Sequence, residues 1–261
     1  MLSIPSALQW FVDTGVVSEV VRIIKSGKES QIYLTRRFCE DRVFYFAAKV
    51  HKARARRSFK GDKIYRAGWC LEGRVQRAVS RGTRYGRRVI ESLWVTQEYD
   101  ALKKLWKSGA NVPTPILRHD NVILMTYIGD PDQPAPKLCE TPLKPGEALQ
   151  AFNELIENLR IFVKLSLVHG DLSPFNVLYS KGKIWIIDLP QAVDLHSNPH
   201  AVDLLYRDLQ CICKYFLKRG VNCSPRDLFR QILDLPYVPS KTYQDLLMLI
   251  AEPELPTTKR R

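Results

Sequence analysis

The stretch LVHGDLSPFNVLYSKGKIWIIDL, residues 167–189, sets His169, Asp171, Asn176 and Asp188 among apolar neighbours. An unpaired buried carboxylate is costly. These groups therefore either satisfy one another as a hydrogen-bonded network or converge on something the chain does not itself supply. Asp171 and Asn176 lie five apart in a loop that contains Pro174, and Asp188 ends a short apolar strand, KIWIID (183–188), twelve residues after Asn176. An Asn and an Asp brought together at a loop and a strand end suit Mg²⁺, a hard ion that takes oxygen ligands and keeps several waters. Asp171, with no metal to hold, is then able to accept a proton from a nucleophile. Phosphoryl transfer needs this division of labour.

The preceding half supplies complementary groups. Residues 6–24 read as a short helix and a turn leading into a strand, and SGKESQIYL (26–34) reads as strand, turn and strand. VFYFAAKV (43–50) is rich in β-branched and aromatic residues and predicts a strand ending near Lys49. In SLWVTQEYDALKKLWK (92–107), Val95, Tyr99, Leu102 and Trp106 fall at helical spacing, with Ser92 as the expected N-cap and Glu98 on the same inward face. Lys49 and Glu98 are thus able to pair, which would aim the ammonium at phosphate oxygens. NVILMTYIG (121–129) predicts a buried strand, and PDQPAPKL (131–138) a connector. Beyond it, Leu149, Phe152, Ile156, Leu159 and Val163 form one helical stripe, and two further helices are expected over about 199–219 and 224–234.

Bulk properties narrow the field. The 261 residues, 45% of them apolar, suffice for one large domain or two lobes. No run of about 18 apolar residues occurs, so neither a membrane span nor a secretory signal is expected, and a cytoplasmic location is. The six cysteines form no Cys-x-x-Cys pair, which argues against a zinc ribbon or a redox motif. The net charge of +13 is concentrated. Between His51 and Ile90 thirteen Lys or Arg face only Asp62 and Glu72, a local excess of +11 that would attract polyanions such as RNA. Five glycines in this stretch predict a mobile insert, partly helical near 70–80.

Strand Lys, helix Glu, Asp-x4-Asn and a later Asp follow the protein-kinase order. Together with SGKESQIY, AAKV, LMTYIG, HGDLSPFNVLY, IIDLPQAV and SNPHAVDLLYRD, they make the chain resemble the RIO family of atypical serine/threonine protein kinases. The resemblance covers most of residues 10–217. It implies an α+β, protein-kinase-like two-lobed fold: a helical extension over 1–24, a β-rich N-lobe over 25–128 with the basic flexible insert at about 52–88, and a mostly helical C-lobe over 129–261 ending in a disordered tail. It also implies ATP with Mg²⁺, or Mn²⁺ in its place. Thr126 and Ile128 would contact adenine through their backbone. Ser26, Gly27, Lys28, Glu29 and Ser30 would form the phosphate loop, beside the Lys49–Glu98 pair. Asp171 would be the catalytic base, and Asn176 and Asp188 would hold the metal. Asp188 could itself become an aspartyl-phosphate, making the protein an ATPase-type switch. Family behaviour adds autophosphorylation, with Ser58, Ser80 and Thr83 as candidate sites, and a ribosomal or other ribonucleoprotein partner for the basic segment.

Departures from ordinary protein kinases carry meaning. Gly170, not Arg, precedes Asp171, and no Ala-Pro-Glu segment follows Asp188, so a peptide substrate has little platform. SGKES is not a Walker A loop, because Glu29 follows Gly27-Lys28. A small-molecule phosphotransferase of the aminoglycoside or choline kinase kind shares His-Gly-Asp-x4-Asn. Such enzymes hold cationic substrates on acidic helices, whereas the last 60 residues here are not markedly acidic. A third reading is an ATP-sensing, RNA-associated assembly factor with little turnover. Simpler roles are expected elsewhere. His169 would bond backbone near Asp188, and His196 and His200 would serve helix entry and packing, not a metal. Asp208 would accept backbone N–H bonds from the Asp171 loop, and Trp10–Phe11 and Tyr215–Phe216 would be core.

Overall fold

β-Branched and aromatic residues recur through 19–51, which builds three antiparallel strands, β1 (Glu19–Ser26), β2 (Ser30–Cys39) and β3 (Arg42–His51), as expected for a pleated, half-buried surface. The computed structural model describes residues 4–52, 62–69 and 71–233. With β4 (Pro115–His119) and β5 (Val122–Thr126) the strands form a five-stranded sheet in the order β1-β2-β3-β5-β4. Lys49 is flanked in register by Ile32 and Ile123. Because side chains alternate along a strand, Ala48 joins a small cluster with Leu8, Phe11, Val17, Tyr33, Val122 and Leu124, while Lys49 turns to the opposite face. That cluster seats helix α1 (Ser6–Asp13). Phe11 is buried there, but Trp10 is 38% exposed and stacks flat on His119 of edge strand β4 at 3.9 Å, so only half of that aromatic pair is core.

The stretch between β3 and the sheet's return holds α2 (Asp62–Tyr65), α3 (Gly73–Ser80) and α4 (Arg84–Lys107). The helix that carries Glu98 therefore begins eight residues before Ser92. Its cap is Thr83, whose hydroxyl accepts the Gly86 N–H at 3.0 Å; Ser92 lies inside the helix. The hydrophobic spacing located this helix, but its first turns are arginine-rich and show no apolar face. At the other end, the Ala110 N–H winds back onto the Leu105 carbonyl, so Leu105 points inward and Trp106 is 44% exposed. Of the cysteines and hydroxyls singled out from sequence, Cys70 and Ser58 lie outside the described residues, as does the chain beyond 233.

The helical half contains α5 (Pro145–Lys164), α6 (Ala201–Leu217) and α7 (Pro225–Leu233), with short strand pairs β6 (Leu167–Val168) with β9 (Val193–Asp194) and β7 (Val177–Ser180) with β8 (Lys183–Ile186). On α5 the buried arc centres on Ala148, Leu155 and Phe162, seven residues apart; Leu149 falls beyond its edge and is 50% exposed, unlike the rest of the stripe. The main core joins Trp94, Val95, Leu102 and Leu105 of α4 to α5, α6 and α7. Helix α4 is thereby packed against the helical half while its Glu98 reaches the sheet. No helix among the described residues is long and apolar enough to cross a membrane.

The α3–α4 corner is held by close backbone approach: a Cβ on Gly86 would stand 2.3 Å from the Ala78 carbonyl oxygen. Alanine's better helix propensity offers about 1 kcal/mol, whereas overpacking against immovable backbone costs about 1–3 kcal/mol. Gly86→Ala is expected to lower the urea midpoint at unchanged m-value.

Candidate functional site

Strand β3 delivers Lys49 and, two residues on and on the same face, His51. Both are buried, as is Glu98 of α4. Lys49 Nζ donates to Glu98 Oε1 at 2.5 Å and to Asp188 Oδ1 at 2.7 Å, and His51 Nε2 stands 3.1 Å from Glu98 Oε2. Burial by itself would lower the Lys49 pKa, but the charges of Asp188 and Glu98 raise it. For Glu98, burial works upward, and the Lys49 and His51 charges overcome it and hold the carboxyl at about 2. The ammonium is thus fixed and fully charged.

Asp188 reaches this junction through a hairpin register. β7 and β8 pair from Ser180–Lys183 to Val177–Ile186, and the Ile187 N–H continues onto the Asn176 carbonyl at 3.0 Å. Asn176 therefore ends beside Asp188. The Asn176 amide N–H₂ donates to the Asp171 carbonyl at 2.9 Å and its carboxylate at 3.4 Å. That orientation keeps Oδ1 as the atom able to bind a cation. Asp188 adopts φ +69°, a left-handed conformation that costs a non-glycine residue about 1–2 kcal/mol; its side chain is 38% exposed.

The loop carrying Asp171 is held from behind. Asp208 of α6 accepts the Gly170 N–H at 2.8 Å and the Leu172 N–H at 3.0 Å, the role expected of it, while burial pushes its carboxyl up to about 7. His169 is buried and its Nε2 donates to the Ile187 carbonyl at 3.1 Å. Its Nδ1 accepts the Asp171 N–H at 3.3 Å, which places the proton on Nε2; burial lowers its pKa and keeps the ring neutral. Burial also raises the Asp171 pKa, against the opposing charge of Arg207.

The turn Ser26–Ser30 closes with the Gly27 N–H on the Ser30 carbonyl at 2.9 Å and is pinned by Lys52, whose ammonium donates to the Gly27 carbonyl at 2.5 Å. Gly27, Lys28, Glu29, Ser30, Lys49, His51, Asp188 and Pro190 line one cleft. Thr126 and Ile128 lie where the sheet gives way to the helical half. The Thr126 N–H is bonded to the Thr114 carbonyl at 2.9 Å, and the Ile128 carbonyl accepts from Ala135 at 3.0 Å, which leaves the Thr126 carbonyl and the Ile128 N–H as the groups to consider for a ligand. His196 meets the Ser166 hydroxyl at 2.7 Å and His200 precedes α6; among the described residues there is no group of three or more His, Cys, Asp or Glu that could hold a metal ion. Sequence reading missed His51, which strand alternation from Lys49 could have flagged, and Arg207. The Arg207 guanidinium donates to the Gly170 carbonyl, a contact no local pattern announces.

A lysine on a sheet strand, paired to a helix glutamate and facing an Asp–Asn loop and a strand-end Asp, defines a protein-kinase-like two-lobed α+β protein. Residues 31–228 match the RIO domain model, and the chain belongs to that family. It is 34% identical over 95% of its length to serine/threonine-protein kinase rio1 of Schizosaccharomyces pombe, and 30% identical over 89% to human serine/threonine-protein kinase RIO1. It spans only 48% and 39% of those two proteins. The fold matches that of the Rio2 kinase–ADP/Mg²⁺–phosphoaspartate complex from Chaetomium thermophilum with a TM-score of 0.62 at 24% identity, covering 94% of this chain and 74% of that one.

The buried ion pair has a pH signature. The folded-state Glu98 carboxyl takes up its proton only near pH 2, against 4.5 as its ordinary value, so the unfolded chain protonates first as pH falls. The stabilisation is full above about pH 4.5 and is lost progressively toward pH 2. Urea unfolding across this range should show the stability gap between the wild type and Glu98→Gln shrinking as pH drops. A gap that stays constant would place the depressed carboxyl elsewhere.

Proposed function

We propose that the chain is an ATP- and Mg²⁺-dependent RIO-type serine/threonine kinase or ATPase, with residues 25–128 and 129–261 as the two lobes that close on the nucleotide. The observation that carries this reading is Lys49, held at once by Glu98 and Asp188 in the cleft beside the Ser26–Ser30 turn. Lys49 would donate to phosphate oxygens, with Ser26, Gly27, Lys28, Glu29 and Ser30 shaping the phosphate channel. The Thr126 carbonyl and Ile128 N–H would bind the adenine edge. The donor set fits a hard divalent ion, since Asn176 Oδ1 and the half-exposed Asp188 carboxylate are both oxygens. When bound, Mg²⁺ would neutralise charge on the phosphates; Mn²⁺ satisfies the same donors.

Asp171, made more basic by burial, would accept the proton of an attacking serine or threonine hydroxyl. The hydroxyl oxygen forms a bond to the terminal phosphorus, the bond from phosphorus to the bridging oxygen breaks, and ADP leaves. The related Rio2 structure holds a phosphoaspartate, which supports a second course here: an Asp188 oxygen as nucleophile, followed by hydrolysis to give net ATPase turnover. Ser80 and Thr83 are exposed hydroxyls on the α3–α4 corner and remain candidate acceptors of autophosphorylation.

With radiolabelled ATP, Asp171→Asn is expected to cut hydroxyl-directed transfer by about 10²–10⁴-fold, the usual contribution of a general base. Lys49→Ala and chelation of the metal should each abolish turnover. Wild-type rates in Lys49→Ala would remove the phosphate-positioning role.

For a partner we propose RNA or a ribosomal particle, held in the cytoplasm through the basic 52–88 segment, where Arg74, Arg77, Arg81, Arg84, Arg87 and Arg88 are all exposed. Each phosphate contact contributes about 0.7–0.9 to the slope of log affinity against log salt. Replacing Arg77, Arg81 and Arg88 together by alanine should flatten that slope by about two to three. An unchanged slope would place the RNA contact elsewhere.

A further inference from the structure

The basic segment contains a part its charge does not explain. Tyr65 is buried and Trp69 partly so, in a stretch that carries a large excess of positive charge. Both are anchored at a distance. Asn198, 4% exposed, donates from Nδ2 to the Ile64 carbonyl at 2.8 Å and the Tyr65 carbonyl at 3.3 Å, while its Oδ1 accepts the His200 N–H at 2.8 Å. Gly68 lies so close to the backbone of Ser197 that a Cβ there would stand 2.8 Å from its carbonyl carbon and oxygen. Trp69 meets Trp94 edge-on at 5.1 Å, on the helix that presents Glu98.

The far end of this strap is the residue before Asp171. The Tyr65 hydroxyl donates to the Gly170 carbonyl at 3.4 Å, and Arg207 donates both to that carbonyl and to the Tyr65 hydroxyl, the latter at 3.4 Å. Gly170 has φ +80°, and a Cβ there would meet the Gln191 carbonyl oxygen at 2.4 Å and the Tyr65 ring at 3.4 Å. Asp208 holds the N–H groups on either side of Asp171; Tyr65 and Arg207 hold the carbonyl that joins Gly170 to it. With both ends of its peptides held, the Asp171 backbone has little freedom to rotate.

We infer that residues 62–69 form a strap in which Tyr65, together with Arg207, is a positioning residue for Asp171, tying the Asp171 loop to the helix that carries Glu98. The inference rests on Asp171 being the general base. A carboxylate that must meet a hydroxyl proton tolerates little displacement, and about 1 Å of misplacement can cost 10²-fold in rate. The contacts of Tyr65, Gly68 and Trp69 described above reach none of the groups assigned to nucleotide, so their loss should appear in kcat and not in nucleotide affinity.

The full chain with Tyr65→Phe keeps the packed ring and loses only the hydroxyl. Gly68→Ala lifts the strap from Ser197 and leaves Tyr65 intact. Three readouts apply to each variant: kcat and KM for ATP in phosphate transfer, Kd for Mg²⁺–ADP, and hydrogen exchange of the Gly170–Leu172 amides. In both variants kcat is expected to fall by about tenfold or more, with KM and Kd within about twofold of wild type and faster exchange at 170–172. Unchanged kcat in both variants, or a fall that follows lost thermal stability with unchanged exchange, overturns the positioning role. If the wild type turns over and only the strap variants match it, the strap alone fails. A wild type no faster than Asp171→Asn overturns the phosphoryl-transfer reading and the strap with it.

Discussion

A single ammonium organises this molecule. Lys49 Nζ lies within hydrogen-bonding reach of Glu98 from α4 and Asp188 from the end of the β7–β8 hairpin, and it is buried together with Glu98 and His51. Removing a charge from water is expensive unless it is paired, and removing one member of a buried pair costs about 3–5 kcal/mol. The sheet, the long helix and the helical half must therefore meet at this point, because no one of them can satisfy the lysine alone. The same requirement keeps a charged, rigidly aimed donor at the edge of a cleft, where phosphate oxygens could replace part of its present coordination.

Around that junction the protein relies on backbone hydrogen bonds to aim its carboxylates. Asn176 reaches Asp188 because hairpin register extends one residue past β7. Asp171 is framed by Asp208 on the N–H side and by Arg207 and Tyr65 on the carbonyl side. His169, neutral and buried, joins the two segments by accepting from one backbone and donating to the other. Apart from Arg207, which is exposed, these fixing groups are themselves buried, which is what holding a constellation of side chains to within about 0.5 Å demands. The left-handed backbone at Asp188 is the local strain in this arrangement.

Much of this was legible beforehand. Alternation located β3 and hence Lys49, helical spacing placed Glu98 inward, and Asp208 is the backbone acceptor expected behind the Asp171 loop. The failures share one origin. Trp10, Leu149 and Trp106 are apolar and at or near helical spacing, yet exposed, because burial depends on where a neighbouring element ends. The start of α4 was placed at Ser92 because its first two turns carry arginines, and only the corner with α3 shows that Thr83 is the cap. The charge and glycines of the basic stretch dominate its sequence reading, so Tyr65 and Trp69 draw no notice there.

By itself the sequence picked out the candidate groups, since an Asp-x4-Asn loop, a strand-end Asp, a strand Lys and a helix Glu announce themselves by local period and residue type. It determined the order of strands and helices for the same reason. Which of those groups touch, what holds Gly170 from either side, and that Tyr65 packs against the Asp171 loop were decided by tertiary structure alone. Lys49–Asp188 and Tyr65–Gly170 join residues more than a hundred positions apart, and such contacts exist because packing and the satisfaction of buried backbone groups bring the segments together. No local pattern of residues encodes them.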